Sequence, residues 1–172
     1  AEKLQELEQA GVLNLEDLQS NPSFITTLMQ ASAAAIRNHQ KDKIHAFRNA
    51  LLNSALDKGP GDSKEQIFLH IVDSFTSCHL QILKVLQNPK SWADSHRVVR
   101  DDIDERILFH VLETMLPELK GKRQFYQQVI KDLNSRGLAN VDLEASYHLG
   151  RTTASYTTNL GNQFLDYIEE PT

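Results

Sequence analysis

The chain has 172 residues, 40% of them apolar and 24% charged, the profile of a globular chain holding one compact domain or two small ones rather than a disordered or fibrous one. A single cysteine, Cys78, excludes an intrachain disulfide framework and points to a reducing, cytoplasmic compartment, and about 68–70% of the unfolded surface can be buried at this size without any staple. Eighteen basic against 23 acidic residues give a formal charge of −5, which argues against wholesale coating of nucleic acid or anionic membrane and leaves room for a local basic face.

The opening residues Ala1-Glu2-Lys3 show no basic n-region and no apolar h-region, so no signal peptide is read there, and the chain is expected to be a piece of a longer one. No run approaches the roughly 18 apolar residues that a membrane span needs. Leu4, Leu7, Val12, Leu15 and Leu18 sit among acids and predict one or two short amphipathic turns. Asn21-Pro22 is a helix start, because Asn accepts from the orphan amides and Pro lacks only a donor that would be unpaired there. The helix after it is expected to turn Ile25, Leu28, Met29, Ser32 and Ile36 inward, with Ala33, Ala34 and Ala35 allowing a close neighbour. A second stripe, Ile44, Phe47, Leu51 and Ala55, either continues that helix or forms another, joined near Gln40.

Lys58-Gly59-Pro60-Gly61 is the clearest break. Asp62 with Glu65 then reads as a capping box opening one long helix through Ile67, Phe68, Ile71, Val72, Phe75, Ile82, Leu83 and Leu86, which ends at Asn88-Pro89. A polar linker containing Trp92 precedes Asp101. The stripe of Ile103, Ile107, Leu108, Val111, Leu112 and Met115 follows and is closed by Pro117. The next helix is expected to bury Phe125, Tyr126, Val129, Ile130 and Leu133 and to stop at Gly137. Residues 141–155 lose the helical period and allow a small hairpin or loop. A final helix carries Leu160, Phe164, Leu165 and Ile168 behind the cap Thr158.

From Asp102 onward this order can be laid on a winged-helix template, with the helix ending near Arg136 as reader and residues 141–157 as wing. Reading a duplex takes cations for phosphates and amides or arginines for base edges. Lys120, Lys122, Arg123, Lys131 and Arg136 stand against the single acid Asp132 there, with Gln127 among them, so these are the candidate nucleic-acid-binding residues. The alternative reading is a solvated helix face opposite the apolar stripe. Two His-x-x-acid pairs, His70 with Asp73 and His110 with Glu113, suggest a metal-binding bundle as a further alternative, although metal bundles of the carboxylate type run Glu-x-x-His. No hydrolase or nucleotide-loop motif is present, and the neighbours Cys78 and His79 point about 100° apart on a helix. Neither a catalytic residue nor a cofactor nor a metal ligand set is therefore assigned.

The stretch Lys43-Ile44-His45-Ala46-Phe47-Arg48-Asn49-Ala50-Leu51-Leu52-Asn53-Ser54-Ala55 resembles an uncharacterised bacterial family of helical domains of unknown function. The resemblance continues through residues 68–83, Asp132-Leu133-Asn134-Ser135-Arg136-Gly137-Leu138 and residues 160–168, and so covers most of residues 22–168. The general form is also similar to the abortive-infection alpha group, some of whose members are associated with phage exclusion. The family brings no agreed catalytic residues, so none is carried over.

The expectation is an all-α chain with an acidic N-terminal segment over residues 1–20 and a helical bundle over 21–117. A winged-helix-like region over 118–172, with room for one small β-hairpin, packs on that bundle. The expected role is non-enzymatic, an interaction or scaffolding domain of a larger bacterial protein in stress or phage response, with a protein partner or self-association. Nucleic acid is the alternative partner, and neither membrane contact nor a small-molecule substrate is read from this segment.

Overall fold

The computed structural model describes residues 2–89, 91, 108–143 and 155–171. The linker with Trp92, the start of the helix from Asp101 and the middle of the wing with Arg151 lie outside the described residues. Every regular element among the described residues is a helix, as the apolar period requires. None is long and apolar enough to cross a membrane. The chain forms two compact units, Ala1–Ser77 with Gln163–Thr172, and Cys78–Asn162. The sequence-derived boundary at residue 117 falls inside the second.

The first unit contains α1 (Glu2–Gln9), α2 (Leu15–Gln19), α3 (Pro22–Arg37), α4 (Lys41–Ala55) and α5 (Asp62–Ser74). Asn21 caps α3 as expected, its Oδ1 accepting from the amides of Ser23 and Phe24 at 3.0 and 3.2 Å. The acidic N-terminal stretch is folded onto the unit, with Leu18, Phe24 and Ala55 forming a cluster covered by Leu4, Leu13, Leu15 and Leu51. Near Gln40 there are two helices, not one. Asn38 is extended, and its Nδ2 donates to the carbonyl of Ala34 at 2.7 Å, closing α3.

Two expectations are corrected between Asp62 and Leu86. The long helix is interrupted at Phe75, which is extended (φ −82°, ψ 160°), and resumes as α6 (Ser77–Gln87). Ser77 donates from its amide and hydroxyl to Gln40 Oε1 at 2.8 and 3.2 Å, so a side chain from the α3–α4 connection competes with the helical ladder. Nor do Asp62 and Glu65 form a capping box. Gly61 holds the N-cap position without a side-chain bond, Asp62 accepts from Ser23 Oγ at 2.9 Å, and Glu65 turns into the interior.

The last helix, α9 (Asn159–Ile168), starts in the second unit and ends in the first. Phe164 meets Phe68 edge-on at 5.3 Å between centroids, a favourable aromatic geometry. Asn53, on α4, donates from Nδ2 to the carbonyls of Tyr167 and Glu169, each at 2.9 Å, and Asn49 Nδ2 donates to that of Ile168 at 3.1 Å. Two asparagines one helical turn apart thereby satisfy carbonyls that the end of α9 leaves without helical donors. Tyr167 OH reaches Glu65 Oε2 at 3.2 Å and Ser54 Oγ at 2.9 Å.

In the second unit α6 buries Leu80, Ile82, Leu83, Val85 and Leu86. It is followed by α7 (Leu108–Met115), a 3₁₀ turn (Pro117–Leu119) and α8 (Arg123–Ser135). On α8 Tyr126, Val129, Ile130 and Leu133 face inward, but Phe125 is 51% exposed. At 100° per residue it lies about a quarter-turn from the centre of that stripe. The stop at Gly137 is as expected: φ is +71°, and the amides of Gly137 and Leu138 bond back to Asn134 and Leu133. Residues 144–154, where the sequence allowed a small hairpin or a loop, lie outside the described residues. Among the described residues on either side there is one isolated antiparallel bridge, Ala139 to Thr157, extended by Asn140 N to Tyr156 O at 2.9 Å and Thr158 N to Leu138 O at 3.0 Å.

Thr158 caps α9 through the amide of Gly161 at 3.0 Å, and its hydroxyl also donates to the carbonyl of Gly137. This packs the first turn of α9 so tightly on residue 138 that a Cβ at Gly161 would stand 2.0 Å from the Leu138 carbonyl oxygen. Gly161→Ala is accordingly expected to cost about 1–3 kcal/mol in urea unfolding, because backbone rather than a movable side chain has to give. Burial, with the Glu65 carboxylate beside it, pushes the Tyr167 phenol well above its ordinary value of 10.0. The unfolded chain then releases that proton before the native one does, so this contribution is intact below pH 10 and is lost as pH rises further. Tyr167→Phe should lower stability at neutral pH by about 1–2 kcal/mol and flatten the alkaline decline, as read by melts from pH 8 to about 11.

Candidate interaction site

Helix α3 has two apolar faces. Phe24, Thr27, Ala31 and Ala34 are buried. The stripe expected to be core, Ile25, Leu28, Met29 and Ile36, is instead exposed by 38%, 38%, 68% and 86%. At 100° per residue these four and Ser32 fall within about 60° of one line, which lies about 135° round the helix from the centre of the buried set. The inversion has a steric cause and a polar one. Ala31 and Ala34 let the backbones of the packed helices approach in a way that Ile or Met would prevent. Three polar contacts on that side then fix the rotation: Ser23 Oγ to Asp62 Oδ1 at 2.9 Å, Thr27 Oγ1 to Glu65 Oε2 at 3.5 Å, and Arg37 Nη2 to Asp73 Oδ2 at 3.0 Å.

The outer stripe also lies in a stretch without charge, since residues 21–36 contain no Asp, Glu, Lys, Arg or His. A helix apolar on both sides is ordinarily covered on both. The four large side chains expose apolar area on the order of 400 Å², within the range of the largest patch on a monomer, which often serves as a contact surface. Beside it α3, α4 and α5 border a shallow groove with Ala34, Phe47 and Leu69 in its lining. The Arg37–Asp73 pair neutralises charge along that groove.

The nucleic-acid candidates gather on α8 and the residues just before it. Lys120, Lys122, Arg123, Lys131 and Arg136 are exposed and Gln127 is half-buried. Arg123, Gln127 and Lys131 follow at intervals of four along one strip of the helix. The Arg123 guanidinium lies 4.3 Å from the centroid of the Phe109 ring, a cation–π contact that holds it at the flank. The one acid of α8, Asp132, accepts from Gln128 at 2.8 Å and lies 3.4 Å from His79 Nε2.

The acid of each histidine pair has another partner. Asp73 pairs with Arg37, while Glu113 accepts from Tyr126 OH at 2.7 Å. Among the described residues no three His, Cys, Asp or Glu side chains gather as a metal ligand set. Groups with nucleophilic character are shifted the wrong way for one. Burial, reinforced by Glu118, pushes the Cys78 thiol up, and burial with the Glu113 hydrogen bond does the same to the Tyr126 phenol. Both therefore hold their protons at neutral pH, whereas an activated nucleophile needs the opposite shift.

Burial also lowers the pKa of Lys43, with Asp73 opposing, and its Nζ donates to the Asp73 carbonyl at 2.7 Å near the end of α5. That lysine is a helix-terminus donor. Inspection of the sequence missed it, together with the interior cluster of Glu65, Thr27, Ser54 and Tyr167. No motif marks either. The outer face of α3 did carry a signal: no charge over residues 21–36, with a stripe of large apolar residues and a run of small ones, Ala33 to Ala35, beside it. No protein-family model, curated protein or solved structure matches the chain.

Proposed function

We propose that the chain is a non-enzymatic helical interaction domain whose contact surface is the outer face of α3. The observation that carries this reading is the exposure of Met29 and Ile36 on a helix whose one charge, Arg37 in its last turn, is paired with Asp73 away from that face. The resemblance read from the sequence puts such a domain in a larger bacterial protein of stress or phage response. A photo-activated cross-linking residue at Met29, with one at partly exposed Asp42 on α4 as control, tests this in the native host. Adducts to a polypeptide, a second copy included, are expected from position 29 and not from position 42. Equal yields at both positions, or none at position 29, would remove the reading.

A second reading is favoured by the exposure of all five cations around α8. Here α7, the 3₁₀ turn, α8, the bridged residues 138–140 and 156–158, and α9 follow the order of a winged-helix domain, with α8 as reading helix. It predicts a duplex affinity that falls steeply with salt, and a slope reduced by about 2 after Lys122→Ala with Arg123→Ala. Failure of the parent protein to retard duplex DNA at low salt would eliminate it.

A further inference from the structure

We infer that the occupant of the outer face of α3 is a second copy of this chain, the two helices packing antiparallel across a two-fold axis. The inference rests on the reading of this face as a contact surface and adds the identity of what covers it. Three features point to a copy of the same face.

The first is charge. In a chain of net charge −5, residues 21–36 carry none, so the face meets itself without the like-charge repulsion that most other patches would bring. Antiparallel alignment also sets the helix dipoles favourably. The second is shape. With the axis passing between Gln30 and Ala31, Ile25 lies opposite Ile36 of the second copy, and Met29 lies opposite the small Ser32. Large against small is what lets side chains interdigitate in a self-complementary contact. The third is area. Two stripes with their rims would bury on the order of 1,000 Å² in total, the lower limit for a specific interface and one that implies a reversible, weak dimer.

Sedimentation equilibrium on the purified chain across low to high micromolar concentration is expected to show mass rising toward twice the monomer value. Met29→Glu with Ile36→Glu should weaken that association at least about tenfold, since the two-fold doubles each charge in the contact. The same variant should keep the circular dichroism and melting point of the parent, both side chains being largely exposed. Register is read by mixing Ile25→Cys and Ile36→Cys chains, each also carrying Cys78→Ser, under mild oxidation. The mixture should form a disulfide-linked dimer, and Ile25→Cys alone should not. A monomer throughout, a dimer indifferent to the two glutamates, or linkage of Ile25→Cys chains to one another would each overturn the proposal. Should the chain be monomeric while the cross-linker at Met29 still captures a different polypeptide in the host, the contact-surface reading stands and the second copy is ruled out; should both fail, neither survives.

Discussion

The first unit depends on one buried carboxylate. Glu65 is 7% exposed, and its Oε2 accepts from Ser54 at the end of α4, from Tyr167 near the end of the chain and from Thr27 in the middle of α3. Hydrogen bonds to a charged group are worth about 1.5–3 kcal/mol each, and an ionised carboxylate left without them inside a protein would be strongly unfavourable. The three hydroxyls belong to three different helices, so satisfying one side chain fixes the mutual positions of all of them and α5. Asn53 and Asn49 add a second tie by holding the carbonyl end of α9, and together they join residues more than a hundred positions apart.

That constraint explains the exposed stripe. Once Thr27 must point at Glu65, Ser23 at Asp62 and Arg37 at Asp73, the rotation of α3 is no longer free. Phe24, Ala31 and Ala34 go inward with them, and Ile25, Leu28, Met29 and Ile36 go out. Burying the larger side chains instead would recover more apolar area, at about 25 cal/mol per Å². It would also push neighbouring helices apart and strand the carboxylate. A polar interior and a small-residue interface thus leave an apolar face for something else to cover.

The second unit is held differently. Its described part relies on apolar burial along α6, α7 and α8 and on backbone bonds at the point where Gly137, Leu138 and Thr158 meet. The bare Cα of Gly161 is what admits the Leu138 carbonyl. This contact gives Thr158-Asn159-Leu160-Gly161 a packing role that is independent of any functional reading of the region. The cations on and just before α8 are exposed, and Arg123 also packs over the Phe109 ring, so solvation and one ring contact account for that charge.

Much of the local architecture was written in the chain itself. Apolar residues at helical spacing made the protein helical, Asn21-Pro22 and Thr158 set two helix starts, and Gly137 set a stop, because each acts through atoms within a turn of itself. The orientation of α3, the break at Phe75 and the inward turn of Glu65 were not readable, since each is decided by a partner distant in sequence: Gln40 for Ser77, and Thr27, Ser54 and Tyr167 for Glu65. A periodic pattern says that a helix has an apolar side. When it has two, only the packing of the other helices decides which one is buried.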